Sequence, residues 1–349
     1  MPNLGPLHSP LRILFAGSPE IAVPSLLAVG KAFTLVGVLT NPPAPKGRGL
    51  SPAPTPVAQA AAEHFPGVPV LAPERLGLAQ RETVSVLQPD LLVVFAYGRI
   101  FGPKFLGLFP QGGVNVHPSL LPRWRGPSPI PYAILARDEE TGISVQRLAL
   151  RLDSGDVLGR QRLPLTGRET AGHLSEWAAG AGAELLVAVL SQIADGSVSA
   201  EPQDETQATW SHQMSKDDGL VDWSRSAVEI DAMVRAYTPW PGAWTTLGGE
   251  RLGLLETRPY ADETGYPGAG EPETGQPGTG KAEPGTVAGI DKSRGIMVQT
   301  GAGLLALRVL QARGKKPLAY RDFTNGARNL PGARLGDTGS SPATPASGR

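Results

Sequence analysis

The sequence predicts an α/β fold with a mostly parallel, Rossmann-like sheet, followed by a smaller C-terminal β-barrel domain of the OB type. Two observations support this prediction. Up to residue 200, short apolar segments alternate with segments of helical spacing, and this alternation is typical of a parallel sheet covered by helices. Beyond residue 236, short apolar segments follow one another between glycine-containing turns, which is the pattern of a small antiparallel barrel.

The first domain begins with a strand, a turn and a helix. Residues 11–16 are apolar and end at Gly17-Ser18-Pro19, and residues 21–29 then have helical spacing. A strand between residues 91 and 96 is almost entirely apolar, as a strand covered on both faces must be. The other predicted strands are 33–40, 68–71, 113–117 and an antiparallel pair, 143–150 and 157–163; the other predicted helices are 57–64, 82–87, 128–136 and 169–194.

The second domain is predicted from a helix and several short strands. The helix covers residues 227–236, and the predicted strands are 245–247, 252–255, 285–288, 296–299 and 304–310. We therefore divide the chain into a loose leader (1–10), a catalytic domain (11–202), a polar linker (203–217), the barrel domain (218–335) and a disordered tail (336–349). Residues 262–285 are rich in Gly, Pro and Glu and are predicted to be a flexible insertion.

Composition excludes several classes of protein. With 349 residues and 40% hydrophobic content the chain can bury a substantial core. It has no cysteine, which excludes a disulfide scaffold and thiolate metal sites, and its five histidines are scattered, so we expect no metal. We find neither a signal-like leader nor a continuous apolar stretch near the ~20 residues of a membrane span. We therefore expect a cytoplasmic protein without a membrane partner.

Basic residues are concentrated near the C-terminus although the formal net charge is zero. The count of Lys and Arg equals that of Asp and Glu, 32 each, which by itself argues against a nucleic-acid-binding protein. Between residues 306 and 334, however, seven Lys and Arg residues accompany one Asp. A local basic surface is therefore available on the second domain.

The most informative motif is Asn115-Val116-His117 with Pro118-Ser119-Leu120-Leu121-Pro122-Arg123-Trp124-Arg125-Gly126 after it and Leu152-Asp153-Ser154-Gly155-Asp156 downstream. Because side chains alternate along a strand, Asn115 and His117 share one face at its carboxyl end, where open parallel sheets bind ligands. Asp153 adds a carboxylate from a separate turn. Amide, imidazole and carboxylate suit a reaction with an oxyanion and proton transfer. Taken alone, a histidine near the end of a strand is more often a packed or exposed residue than a catalyst, and Asp-Ser-Gly-Asp is first of all a hairpin turn.

The complete string resembles the folate-dependent formyltransferases, and among them most nearly the methionyl-tRNA formyltransferases, over residues 11–335. The resemblance implies transfer of a formyl group from 10-formyltetrahydrofolate to the α-amino group of initiator methionyl-tRNA, for translation initiation. It implies that Asn115, His117 and Asp153 are catalytic. Asn115 and His117 would bind the formyl oxygen, while Asp153 would orient His117 and pass a proton.

The same resemblance implies a folate site and a tRNA site. The folate site would comprise Ser119, Leu120, Leu121 and Pro122 together with the backbone of Arg99, Ile100 and Phe101. The tRNA would contact Lys46 and Arg48 in the polar loop 41–50 and Lys315 and Lys316 in the second domain. The loop departs from the family pattern at Pro43-Ala44 and at Leu50. We expect a monomer.

Other functions would use the same residues differently. The first domain could formylate a nucleotide sugar or glycinamide ribonucleotide, or could transfer formyl to water. A non-enzymatic alternative is a tRNA- or RNA-binding protein whose α/β domain has become a ligand sensor. A basic second domain favours the tRNA substrate over the other acceptors, and Asn115, His117 and Asp153 together favour an enzyme over a binding protein.

Overall fold

A computed structural model describes residues 11–46, 51–260, 282–327 and 329–336. The described chain forms two compact units. The first consists of the described parts of 1–133, 138–166 and 173–213, and the second of 134–137, 167–172 and the described parts of 214–349. The predicted leader 1–10 lies outside the described residues, as do residues 262–281 of the predicted insertion and 337–349 of the predicted tail.

The elements up to residue 195 follow the predicted alternation of strands and helices. In chain order they are β1 (Arg12–Gly17), α1 (Val23–Ala32), β2 (Thr34–Leu39), β3 (Ala44–Lys46), β4 (Ser51–Ala53), α2 (Pro56–His64), β5 (Val70–Leu71), α3 (Leu78–Val86), β6 (Leu91–Phe95), α4 (Pro103–Leu106), β7 (Gly113–His117), α5 (Pro129–Leu135), β8 (Glu140–Arg147), β9 (Val157–Pro164) and α6 (Ala171–Asp195).

The first unit is built around a seven-stranded sheet in the order β5-β2-β1-β6-β7-β8-β9. Pairing is parallel from β5 to β7, and β8 and β9 are antiparallel. The predicted mostly parallel sheet is confirmed. The chain order reverses direction at β1, whose neighbours are β2 and β6, so the carboxyl ends of β1, β6 and β7 lie where doubly wound sheets bind ligands.

Apolar side chains hold this sheet between its helices. All five residues of β6 are buried, as its composition predicts. Four aromatic rings follow it in a row, with centroids 5.3, 5.2 and 5.7 Å apart: Tyr97, Phe101, Phe105 and Phe109. Helix α6 is long and apolar enough to cross a membrane by length and composition. Its fully buried Leu186 and Leu190 are typical of a core helix.

The second unit combines a short helix with an antiparallel sheet. Its elements are α7 (Ala227–Ala236), β10 (Ala243–Leu247), β11 (Glu250–Pro259), β12 (Val287–Asp291), β13 (Gly295–Gln299), β14 (Leu304–Ala312), β15 (Leu318–Ala319) and α8 (Tyr320–Gly326). The Ser226 hydroxyl and the Glu229 carboxylate form a capping box at the start of α7. The sheet order is β10-β11-β14-β13-β12, with β15 on β14.

The C-terminal end of the described chain links the two edges of this sheet. Leu335 forms a bridge with Leu247 of β10, and Arg334 forms one with Thr286 beside β12. The amide nitrogen of Val287 also donates to the carbonyl oxygen of Ala333 at 2.8 Å. Among the described residues β10 and β12 have no ladder to each other. The second unit is therefore a small antiparallel domain, as predicted, but its described strands do not close into the predicted OB-type barrel; the segment 333–335 joins the two sheet edges instead.

Some elements have no counterpart among the predicted ones. Strands β3 and β4 pair with each other on either side of residues 47–50 in the sequence. Strand β3 lies within the segment 41–50 that is predicted as an exposed loop, and β4 follows that segment. Ala44, Pro45, Ser51 and Pro52 are exposed. Helices α4 and α8 are short, with four and seven residues, and gave no clear periodicity. Gly285, the last residue of the predicted insertion, is hydrogen-bonded to Gln299 and Leu335 of the sheet.

A matched pair of leucines tests the core of the first unit. Leu92 in β6 is fully buried, whereas Leu78 in α3 is 64% exposed. We expect Leu92→Ala to lower the free energy of unfolding by about 2 to 5 kcal/mol, because it removes buried methyl groups and leaves a cavity. Leu78→Ala should change it by less than about 0.5 kcal/mol. Urea unfolding of both variants measures the difference, and equal effects would contradict the assignment of β6 to the core.

Candidate functional site

The register of β7 brings two of the predicted catalytic side chains to one face of the sheet. Asn115 pairs with Gln146 of β8, and His117 pairs with Ser144. Val114 and Val116, on the opposite face, are buried. His117 is also buried, with 4% of its surface exposed, whereas Asn115 is partly exposed. The sheet therefore presents an amide and an imidazole side by side at the carboxyl end of β7.

Asp153 reaches this face from the turn between β8 and β9. Its Oδ1 accepts hydrogen bonds from Asn115 Nδ2 at 3.3 Å and from Gln146 Nε2 at 3.0 Å. Its Oδ2 accepts one from the backbone nitrogen of Gly126 at 2.9 Å. The structure thus brings together all three predicted catalytic side chains, and both carboxylate oxygens of Asp153 accept hydrogen bonds.

The imidazole of His117 is oriented by a backbone carbonyl. Its Nε2 lies 2.9 Å from the carbonyl oxygen of Trp124. A carbonyl oxygen only accepts, so Nε2 carries the proton of this hydrogen bond. Nδ1 faces Asp153 Oδ2 at 3.7 Å, which is too long for a direct hydrogen bond. A second proton on His117 would therefore reside on Nδ1, beside the carboxylate.

The loop after β7 places both Trp124 and Gly126. The backbone nitrogen of Trp124 donates to Thr209 Oγ1 at 2.9 Å, and its indole nitrogen donates to Asp138 Oδ2 at 2.7 Å. Gly126 has a φ of 108°, a conformation that favours glycine. A Cβ at this position would lie 2.5 Å from the carbonyl oxygen of Ser211. Only glycine therefore fits the position whose nitrogen donates to Asp153.

Residues 119–122 form a rigid turn held by two hydroxyl groups. Ser119 is buried, and its Oγ donates to the carbonyl oxygen of Arg123 at 2.6 Å. Ser144 Oγ donates to the carbonyl oxygen of Ser119 at 2.7 Å and accepts from the backbone nitrogen of Leu121 at 3.2 Å. Leu120, Leu121 and Pro122 line an open groove of about 840 Å³, but Asn115, His117 and Asp153 do not. The groove is also lined by Trp124, whose carbonyl oxygen contacts His117.

The segment after β6 contains Arg99, Ile100 and Phe101, whose backbone was predicted to contact the folate. Phe101 is buried in the row of aromatic rings, and Ile100 is exposed. Arg99 donates to the carbonyl oxygens of Pro73 and Glu74 at 2.9 and 2.7 Å. Asn41 Nδ2 donates to the carbonyl oxygen of Tyr97 at 2.8 Å and to Ser18 Oγ at 2.9 Å, which joins the ends of β1, β2 and β6.

Tyr97 itself has a buried hydroxyl group. Among the described residues this hydroxyl has no hydrogen-bond partner, and burial raises the pKa of Tyr97. A neutral, buried donor at the end of β6 is therefore left at the ligand-binding edge of the sheet.

The predicted tRNA contacts lie away from these elements in the sequence. Lys46 ends β3, and Arg48 lies outside the described residues. Lys315 and Lys316 are exposed in the turn between β14 and β15, where the carbonyl oxygen of Lys315 accepts from Gln311 Nε2 at 2.8 Å. Their geometry is that of a solvated hairpin tip. Within the described part of the chain, no group of three or more His, Asp or Glu residues could hold a metal ion.

Sequence reasoning missed Gln146, although a signal for it exists. In Ile143-Ser144-Val145-Gln146 the polar and apolar residues alternate, which places Ser144 and Gln146 on one face. Strands β8 and β9 were predicted to pair with each other, but the pairing of β8 with β7 was not predicted. Only that pairing brings Gln146 beside Asn115 and Asp153.

Sequence reasoning also missed Arg125, whose guanidinium is completely buried. It donates to Gln203 Oε1 at 3.0 and 2.9 Å and to the two carboxylate oxygens of Glu205 at 3.1 and 2.8 Å. These hydrogen bonds from Arg125 lower the pKa of Glu205. Gln203 and Glu205 belong to the segment predicted as a linker, and nothing in its polar composition indicates that it contacts the first unit.

Family models match both units of the chain. The formyl transferase model matches residues 15–190, and the C-terminal domain model of formyl transferases matches residues 213–328. Together these matches cover most of the chain. The fold and the site at the end of β7 therefore define a formyl-group transferase with an additional C-terminal domain.

Proteins with similar sequences indicate which kind of formyl-group transferase this chain is related to. The methionyl-tRNA formyltransferase of Treponema denticola is 44% identical over 323 residues, which cover 91% of this chain and 97% of the relative. That of a Roseiflexus species is 42% identical over 331 residues, 94% of this chain and 96% of the relative. The chain belongs to the methionyl-tRNA formyltransferase family.

More distant solved structures share the fold. HypX from Aquifex aeolicus in complex with tetrahydrofolic acid aligns with a TM-score of 0.57 at 16% identity, covering 93% of this chain and 48% of that protein. An N-formyltransferase from Helicobacter canadensis aligns with a TM-score of 0.59 at 15% identity, covering 85% of this chain and 99% of that protein. At these identities the likeness concerns the fold alone.

The Arg125–Glu205 pair predicts a pH-dependent contribution to stability. Because its folded-state pKa lies below the ordinary 4.5, the ionised Glu205 stabilises the fold above that pH, and the stabilisation is lost as the pH falls through the lowered value. We expect Glu205→Gln to lower the urea midpoint at pH 7, with the difference from the unsubstituted protein shrinking below about pH 4. Glu63→Gln, at an exposed site in α2, is the control. A deficit independent of pH would contradict the role of the charge.

Proposed function

We propose that this protein transfers the formyl group of 10-formyltetrahydrofolate to the α-amino group of initiator methionyl-tRNA, which supplies formylmethionyl-tRNA for translation initiation. The observation that carries the proposal is the convergence of Asn115, His117 and Asp153 at the end of β7, in a chain of this family. In the reaction the formyl carbon exchanges its bond to N10 of the folate for a bond to the amine, and one proton passes from the amine to N10.

Asn115 and His117 bind the formyl oxygen as it gains negative charge. One N–H of the Asn115 amide is directed at Asp153, and the amide has a second to offer. The Nε2–H of His117 is already engaged by the Trp124 carbonyl oxygen, so the ring would reach the formyl oxygen through Nδ1. Hydrogen-bond donors that are already in place stabilise a developing oxyanion without having to reorganise. This stabilisation is commonly the largest contribution to the rate enhancement of such reactions.

Asp153 keeps His117 oriented and helps to move the proton. Its Oδ2 lies 3.7 Å from Nδ1 of the imidazole. The attacking α-amino group ordinarily titrates near pH ~7.7 to 8.0, so a useful fraction is neutral without a strong base. The carboxylate, directly or through a water molecule, then passes the amine proton toward N10. No covalent intermediate with the protein is required.

The folate is proposed to lie along the ends of β6 and β7. Formyltetrahydrofolate supplies an activated formyl group on a planar, hydrogen-bonding ring system. The exposed backbone of Arg99 and Ile100 and the turn 119–122 fit such a ring, because both are rigidly held, and the buried Tyr97 hydroxyl leaves a donor unpaired among the described residues. The side chain of Phe101 supports this edge from the core.

The tRNA is proposed to contact Lys46 and Arg48, in the segment 41–50, and Lys315 and Lys316, in the exposed turn between β14 and β15. Basic residues neutralise phosphates, and this attraction does not depend on nucleotide sequence. We further propose that the protein is a cytoplasmic monomer that associates with no membrane.

Single substitutions test the catalytic assignments. Asn115→Ala removes one oxyanion donor and should lower kcat by about 10² to 10³, with the KM for methionyl-tRNA little changed. His117→Ala should cost a similar factor. Formyl incorporation from labelled 10-formyltetrahydrofolate into initiator methionyl-tRNA measures both rates, with elongator methionyl-tRNA and free methionine as acceptor controls. Near-normal turnover by either variant would remove that residue from the mechanism.

Salt dependence tests the tRNA contacts at the hairpin tip. Lys315→Ala combined with Lys316→Ala should weaken methionyl-tRNA binding and reduce the slope of log affinity against log salt by about 1.4 to 1.8, because two phosphate contacts are lost. Lys31→Ala, at an exposed residue of α1, is the matched control and should leave the slope unchanged. Identical slopes for the double variant and the control would place the tRNA elsewhere.

A further inference from the structure

Gln203 lies against the Asp153 turn, although its sequence neighbourhood is that of a polar connector. Its Nε2 is 2.9 Å from the carbonyl oxygen of Asp153, 2.7 Å from that of Gly155 and 3.2 Å from Oε1 of Gln146. Gln203 is partly buried. A single amide group therefore touches both the backbone of the turn and the side chain that supports the Asp153 carboxylate.

The direction of these hydrogen bonds is fixed by Arg125. A guanidinium group only donates, so Gln203 Oε1 is the acceptor and its Nε2 is the donor. Gln146 Oε1 then accepts from Gln203, which leaves Gln146 Nε2 to donate to Asp153 Oδ1 at 3.0 Å. The chain of donors runs one way, from a buried cation to the carboxylate.

Resting on the function proposed above, we propose that Arg125, Gln203 and Gln146 are positioning residues for formyl transfer, which act by holding Asp153. Asp153 has a φ of 49°, in the left-handed region that is unfavourable for most residues. Its carbonyl oxygen is held by Gln203 and its side chain by Gln146. The network keeps both the strained backbone and the carboxylate in one place.

The segment that carries Gln203 is attached to the first unit on both sides of this residue. Glu201 forms two backbone hydrogen bonds with Val157 of β9, at 2.8 and 2.9 Å. Trp210 forms a bridge with Arg125, and Ser211 Oγ accepts from the backbone nitrogen of Ser128 at 3.0 Å. Residues 201–211 therefore form a strap across the site, which we call the 201–211 strap.

The Asp153 turn packs closely against the end of β8. A Cβ at Gly155 would lie 1.9 Å from the carbonyl oxygen of Arg147, so the backbone already packs at its closest approach. Without the Gln203 amide, the carbonyl oxygens of Asp153 and Gly155 would each lose a hydrogen bond. A displacement of the carboxylate by as little as 1 Å can cost about a hundredfold in rate.

Gln203→Glu tests the proposal because it preserves size and the acceptor for Arg125 but removes the donor. We expect kcat for initiator methionyl-tRNA to fall by about tenfold to a hundredfold, with both KM values within twofold of the unsubstituted protein. Gln207→Glu is the matched control. Gln207 lies in the same strap, is exposed and donates to Asp204. A kcat for Gln203→Glu within twofold of this control would overturn the proposal.

A second variant decides the question if Gln203→Glu does not fold. Gln146→Leu keeps the volume of the side chain, leaves Arg125 and its partners intact and removes the donor to Asp153. It should also lower kcat without raising KM, and in the double variant the losses should be less than multiplicative, because both act through one carboxylate. Independent, multiplicative losses would contradict a single network. If the unsubstituted protein formylates no methionyl-tRNA, the proposed function fails instead.

Discussion

The carboxyl group of Asp153 is the group on which the rest of the site depends. Only 10% of its side-chain surface is exposed. Removing a carboxylate from water costs free energy unless hydrogen-bond donors replace the water. A buried carboxylate without such donors would destabilise the fold. Three donors from separate parts of the first unit, Asn115, Gln146 and the Gly126 backbone, meet this need.

The same donors explain how structure and chemistry are connected. Asn115 both supports Asp153 and presents a second N–H, so it can bind a substrate oxygen from a fixed position. The loop that brings the Gly126 nitrogen to the carboxylate also brings the Trp124 carbonyl oxygen to His117. One loop therefore contributes both to the tautomer of the imidazole and to the position of the carboxylate.

Much of this arrangement could be predicted from residues that are neighbours in sequence. Period-two alternation placed Asn115 and His117 on one face, and the turn residues around Asp153 predicted the β8–β9 hairpin. The continuous apolar composition of β6 likewise identified this strand. In each of these elements local propensity and tertiary structure agree.

The remainder depends on contacts between distant segments. Gln146 reaches the site only through the pairing of β8 with β7, and Gln203 only because its segment crosses to the Asp153 turn, 50 residues away. A polar segment that is hydrogen-bonded to a buried arginine has the same composition as a solvated linker. Gly126 and Gly155 lie so close to the backbone of Ser211 and Arg147 that a Cβ would not fit, and the presence of a glycine in the sequence does not reveal these contacts.

A single-turnover experiment on Asp153→Asn tests the central claim most directly. Asparagine has the shape of aspartate but lacks the charge, so the fold should be kept while His117 loses its anionic partner. The account predicts that formyl transfer to bound initiator methionyl-tRNA slows by at least about a hundredfold, with the affinity for tRNA and for 10-formyltetrahydrofolate unchanged. A rate within a few fold of the unsubstituted protein would show that the charge of Asp153 is not what organises the reaction.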